Sequence, residues 1–190
     1  MLASNQSPRP ARIAVSSFFF IAGICSASWA SRIPDIQNEL KLSEAGLGTV
    51  LFALPIGSMI SLPLSGMLVA KISSRITMLI GAVFFTSLLC TLGLVTAVWE
   101  LVTVLFFFGV AGNMMNISIN TQAVGVEALY GRSVMASFHG LWSLAGFSGA
   151  AIGTLLIAKN IQPLIHFIVI AVLIGLIILI TFRYLLKYDA

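Results

Sequence analysis

Asn113, Asn116 and Asn120 stand three and four residues apart in the stretch "NMMNISIN", directly after the apolar run "LVTVLFFFGVAG". On a helix turning about 100° per residue, the three amides fall within roughly 60° of arc. Further along, His139, Trp142 and Ser143 share about 100° of arc with Gly146 and Gly153. The chemistry these types allow is recognition and proton transfer. Amides and hydroxyls exchange hydrogen bonds with a neutral solute, an imidazole titrates near neutral pH, and an indole offers a flat apolar face. Two readings follow. The polar residues either stitch two membrane helices together as a seam, or they line a water-filled cavity that takes a small solute. If the chain folds back about Tyr130–Gly131, Asn120 comes level with His139, Asn116 with Trp142 and Ser143, and Asn113 with Gly146. Glu127 and Arg132 would then meet at the mouth of the cavity.

The elements that must carry these residues are membrane helices. Of the 190 residues 59% are hydrophobic and 8% charged, and the mean hydropathy is +1.07. A soluble domain needs about 25% charged residues to cover its surface. Here the long apolar runs call for lipid instead. Six stretches reach the length of about 20 residues that a crossing requires: 13–30, 47–69, 76–98, 101–123, 134–158 and 164–186. Their short connections predict antiparallel neighbours in a single six-span domain over residues 1–190, all-α and without a β-barrel's alternation.

Basic residues orient the bundle. With the N-terminus inside, Arg9, Arg12, Lys71, Arg75, Arg132, Arg183 and Lys187 are cytoplasmic, against Arg32, Lys41 and Lys159 outside. This favours N-in, C-in. Lys71, Arg75, Glu127 and Arg132 form the cytoplasmic charge loops. The third and sixth spans are apolar nearly all round and belong on the lipid side, whereas the first, fourth and fifth carry the small and polar residues. The pattern repeats after three spans, as in transporters built from threefold repeats. In the second span Pro55 and Pro63 free backbone carbonyls, which must face a neighbouring helix or water. Arg32 and Asp35, three apart, read as a surface pair at the outer edge, and His166 as an interfacial residue.

Other classes find no residues to support them. The net charge of +4 is spread over the loops with no contiguous basic patch for nucleic acid. Neither a nucleotide loop, a metal cluster nor a nucleophile–His–acid set is visible, so no enzymatic activity, cofactor or metal is expected. Cys25 and Cys90 lie in separate apolar spans and read as small buried residues. The first span has a rival reading as a secretory signal with a Ser28–Ala30 cleavage site, but its length and the five spans after it favour retention.

These features resemble the N-terminal half of the major facilitator superfamily. The superfamily's loop signature, roughly G-x-x-x-D-R-x-G-R-R, has its counterpart in "GMLVAKISSR", with Gly66 kept, Lys71 and Arg75 supplying the basic residues, Ala70 in place of the acid and Ser73 in place of the glycine. The stretches "WASRIPDIQNELKLSEAGLG", "MMNISINTQAVGVEALYGR" and "MASFHGLWSLAGFSGAAIG" are similar to a bacterial branch related to fucose-permease-type and uncharacterised inner-membrane permeases. The resemblance implies a secondary transporter that moves a small-molecule substrate by alternating access in a bacterial inner membrane. It does not extend to the membrane-embedded acids that fucose permeases use, since neither the first nor the fourth span holds one. Sugar–proton symport therefore does not carry over from the resemblance; His139, well inside a span, reads either as a proton carrier or as a plain hydrogen-bond donor. The resemblance also implies a second six-helix half, supplied as a separate chain or by homodimerisation. The alternative is a non-transporting membrane interaction subunit or a truncated, inactive half.

Overall fold

The computed structural model describes residues 7–187. Within them the secondary structure is helical: α1 (Pro8–Ser31), α2 (Ile33–Glu39), α3 (Glu44–Leu51), α4 (Ala53–Ile72), α5 (Ser74–Leu92), α6 (Val98–Tyr130), α7 (Met135–Ala158) and α8 (Pro163–Thr181). Six helical stretches are long and apolar enough to cross a membrane, with α1 and α2 forming one and α3 and α4 another. All six spans expected from the sequence are present, with shifted ends. The third stops at Leu92 rather than at residue 98. After it, the Glu100 carboxylate accepts hydrogen bonds from the Thr96 and Ala97 amides at 2.7 and 3.2 Å, and α6 starts at Val98. The fourth runs on past residue 123 to Tyr130, where Gly131 at φ 63° closes it in the left-handed conformation that glycine adopts without strain.

The centre of the bundle is α1. It packs along α7 and also touches α5, α6 and α8, burying Phe18, Ile21, Ile24 and Cys25. A second unit forms where α6 packs on α4 and α5. The contact of α6 with α4 is backbone-close and reciprocal. A Cβ on Gly57 would collide with the Phe106 carbonyl, and one on Gly109 with the Leu54 carbonyl. The Ser58 hydroxyl bridges the same place, lying 3.1 Å from both the Leu54 and the Gly109 carbonyl oxygens. Small residues and hydroxyls hold helices together in lipid, where no hydrophobic force separates helix from solvent.

The lipid-side expectation holds in part. In α8, Phe167, Ile170 and Ile174 pack inward while Val172, Leu176 and Leu179 are exposed. In α5 only one face is open, through Ile80, Val83 and Phe84; Met78, Ala82 and Leu89 are buried. Faces as open as that of α8 also occur on α4, through Ile56, Met59 and Ile60, and on α7, through Leu144, Phe147 and Leu155. An apolar span needs only one open stripe to face lipid, so hydropathy alone does not rank burial.

The loop between α4 and α5 explains the resemblance to a glycine-bearing signature. Ser73 sits at φ 83°, ψ 153°, a region that residues with a Cβ enter at a cost of about 1–3 kcal/mol. Its hydroxyl accepts from the Ile76 amide at 3.5 Å, a long capping bond whose loss to glycine costs only a few tenths of a kcal/mol. Ser73→Gly is therefore expected to stabilise the protein by about 1 kcal/mol, read as a raised unfolding temperature in detergent. A lowered temperature would contradict the strain.

Candidate functional site

The helices frame an open cavity of about 360 Å³. From α1 it takes Ala22, Ser26 and Trp29, and from α4 Leu54 and Ser58. Phe85 of α5 and Trp142 of α7 close two sides, and α6 contributes the stretch from Phe108 to Asn116. Each side chain arrives by helical spacing. Gly109 and Asn116 each lie three or four residues from Gly112 and Asn113, so the four share one face of α6. The aromatic wall is built by contact: Phe85 stacks on Phe108 at 4.1 Å between ring centroids, and Trp29 meets Phe108 edge-on at 6.5 Å.

The polar atoms are placed unequally. Asn113 donates from Nδ2 to the Ser61 hydroxyl of α4 at 2.8 Å, which fixes its amide and ties α6 to α4. Asn116 is exposed toward the cavity side. It receives the Asn120 Nδ2 on its Oδ1 at 3.1 Å and on its backbone carbonyl at 2.8 Å. Asn120 thus folds back along α6 and orients Asn116. None of the residues that line the cavity carries a charge. Such a surface suits an uncharged solute with hydroxyl or amide groups and a face to stack on an indole.

Asn113, Asn116 and Trp142 come together as expected, but for a different reason. The fold-back of α6 onto α7 does not occur. α7 lies along α1, and α6 and α7 make little contact with each other. Asn120 therefore does not face His139. His139 is exposed on α7 with its ring edge-on to Phe19 at 5.2 Å, and Ser143 is exposed beside it; neither lines the cavity. The two arcs were right as faces, but a face does not name its neighbour.

The charge loops are also corrected. Glu127 does not pair with Arg132. Its Oε1 accepts from the Ser133 hydroxyl at 2.7 Å and from the Val134 and Met135 amides at 2.7 and 2.9 Å, capping the start of α7. Arg132 and Lys71 are exposed. Arg75 donates to the Phe182 carbonyl at 3.2 Å and lies over the Phe182 ring at 4.5 Å. At the other end of the bundle, Arg32 is buried rather than superficial. It bonds Asp35 at 2.7 Å and the Nδ1 of His166 at 3.2 Å, and His166 is buried as well. Arg32–Asp35 is the one ion pair among the described residues.

Several residues were missed by sequence reasoning. Ser58, Phe85 and Phe108 line the cavity. Gln122, buried, donates to the Ser74 hydroxyl at 2.7 Å and pairs with the Leu186 backbone, joining α6 to α5 and to the segment after α8. A glutamine two residues beyond the asparagine stripe was a visible signal; phenylalanines inside all-apolar runs gave none.

Comparison with known proteins agrees with this architecture. The chain is 35% identical over 162 residues to the uncharacterised transporter y4wD of Sinorhizobium fredii, covering 85% of this chain and 43% of the relative. It is 34% identical over 169 residues to an MFS-type transporter of Yersinia pestis, covering 89% and 44%. Membrane protein MosC of Rhizobium meliloti is 29% identical over 136 residues, covering 72% and 33%. The chain spans less than half the length of these curated relatives. A family model described as the Major Facilitator Superfamily matches residues 14–189, and with six membrane-length helices built as half of that fold, the chain belongs to the Major Facilitator Superfamily.

Proposed function

We propose that this chain acts as the N-terminal half of a secondary transporter that moves a small uncharged solute by alternating access. The observation that carries the reading is the uncharged cavity between α1, α4 and α6, with Asn116 directed toward it and the indoles of Trp29 and Trp142 on its walls. Asn113, Asn116 and Trp142 contact the solute, and Asn120 holds Asn116 in orientation. A second six-helix half, from a separate chain or a second copy, covers the exposed apolar faces of α4 and α7 and completes the site; His139 and Ser143 lie on the α7 face it would meet. The uncharged lining of amides, hydroxyls and indoles suits a polyol-like solute. The protein sits in a bacterial inner membrane with both ends inside, since seven of its ten basic residues then lie on the cytoplasmic side, namely Arg9, Arg12, Lys71, Arg75, Arg132, Arg183 and Lys187.

The test is uptake of a panel of neutral polyols and glycosides by vesicles that carry the chain together with a C-terminal half supplied in trans. Asn116→Ala and Trp142→Ala should each lower uptake about tenfold, the scale of one lost hydrogen bond or one lost stacking face in the path. Uptake untouched by both substitutions would overturn the assignment. Orientation is tested separately. A cysteine at position 37 or 160 should react with an impermeant maleimide from outside sealed cells, while one at position 71 should not. Labelling at 71 would invert the topology.

A further inference from the structure

A second groove lies on the opposite face of α1 from the polar cavity. Ala22, Ser26 and Trp29 line the first, whereas Ile13, Ser16, Ser17 and Phe20, roughly 150° away around the helix, floor the second. This groove, of about 410 Å³, runs between α7 and α8, with Leu141 and Ile177 as its walls. Arg12 stands at one end of it. The guanidinium is held there from two sides, donating to the Ser137 hydroxyl at 3.0 Å and lying over the Tyr130 ring at 5.4 Å. A guanidinium has five N–H donors, so these contacts leave several for an anion.

Among the described residues this end of the bundle carries an excess of positive charge, with Arg9, Arg12, Lys71, Arg75, Arg132, Arg183 and Lys187 against the carboxylate of Glu127. Glu127 directs its Oε1 to the Ser133 hydroxyl and the Val134 and Met135 amides that start α7, and forms no ion pair with Arg12. No ion pair involves Arg12 among the described residues. Below the arginine the groove offers hydrocarbon walls and two serine hydroxyls. From Arg12 to Phe20 it extends about 12 Å along α1, within the roughly 15 Å that one leaflet's hydrocarbon occupies.

We propose that this groove binds an anionic phospholipid, with its phosphate on Arg12 and one acyl chain lying over Ile13, Phe20, Leu141 and Ile177. A cationic head at the membrane boundary joined to an apolar trough one leaflet deep matches a lipid's own layout. A free phosphate would leave the trough unused, and a zwitterionic lipid would leave the excess positive charge uncompensated.

The experiment uses the chain in neutral detergent, titrated with phosphatidylglycerol or with phosphatidylcholine, and reads retained lipid by native mass spectrometry. Wild type should retain phosphatidylglycerol about fivefold better than phosphatidylcholine, the factor one arginine supplies near an anionic lipid surface. Arg12→Gln should abolish that preference. Ser16→Phe, which fills the groove and keeps the charge, should lower retention of both lipids. Arg9→Gln, an exposed arginine outside the groove, should change neither. Equal retention of the two lipids by wild type, a preference that survives Arg12→Gln, or an equal loss from Arg9→Gln would each overturn the proposal. If Ser16→Phe fails to fold, the comparison of Arg12→Gln with Arg9→Gln decides alone.

Discussion

Asp35→Ala is expected to destabilise the protein by about 3 kcal/mol, at the lower end of what removing one partner of a buried ion pair costs. Arg32 is only 1% exposed, and its Nη1 bonds the Asp35 carboxylate at 2.7 Å. Its other bonded partner is the His166 Nδ1 at 3.2 Å, which accepts the Nε–H and therefore carries no proton there. Without Asp35 the guanidinium remains buried with no opposing charge. Asp35 itself is 32% exposed, so water recovers part of the loss and keeps the effect from the top of the range. Arg32→Met in the Asp35→Ala background removes the orphaned charge and should restore most of the stability. Thermal unfolding in detergent measures both. An unchanged unfolding temperature in Asp35→Ala, or a double variant no better than the single one, would show that the pair is not buried as described.

The next largest effect belongs to the helix contact beside the cavity. Gly109→Ala and Gly57→Ala each place a methyl group against a backbone carbonyl of the facing helix. A clash with a side chain can relax by rotation, but a clash with backbone moves a whole helix. Each substitution should cost about 1–3 kcal/mol. Both sit on one interface, so once one has pushed α4 and α6 apart the second adds little. The double variant should fall well short of the sum of the two. Gly66→Ala is the control, because its added Cβ meets nothing within 4 Å. The same unfolding assay checks the series, and strict additivity would argue against a shared contact. Separation of α4 from α6 also pulls Ser58 away from the Gly109 carbonyl and opens the cavity wall.

How much of this the sequence revealed depends on the kind of information. The six spans were legible because an uninterrupted apolar run of about 20 residues has few alternatives to crossing a bilayer. Their ends were less so. Glu127 read as a loop charge, yet it lies within α6 and serves as the cap of α7, and only Gly131 marks the true end. The asparagine stripe was correctly read as one face, since periodicity fixes faces. Periodicity does not say which helix lies opposite. Sequence adjacency suggested α7, whereas α7 packs on α1 and the stripe meets α4 through Asn113 and Ser61. For that reason Asn113, Asn116 and Trp142 line the cavity, whereas Asn120, His139 and Ser143 lie outside its lining. Phe85 and Phe108 were hidden, because within an all-apolar helix a phenylalanine facing a cavity looks like one facing lipid. Arg32 and His166 were misjudged for a related reason. Each sits near a helix end, where exposure is the default, and only tertiary packing of α1 against α8 buries them.

Whether the cavity beside Asn116 holds water is the point on which the functional account turns, and it can be measured without knowing the solute. In a background with Cys25 and Cys90 replaced by alanine, a single cysteine is placed at position 116 or, as a lipid-facing control, at position 83, which is 51% exposed. Membranes are treated with a charged, water-soluble methanethiosulfonate, which reacts only where water reaches the thiol. The account predicts modification at position 116 and none at position 83. A folded protein that stays unmodified at 116 would contradict it.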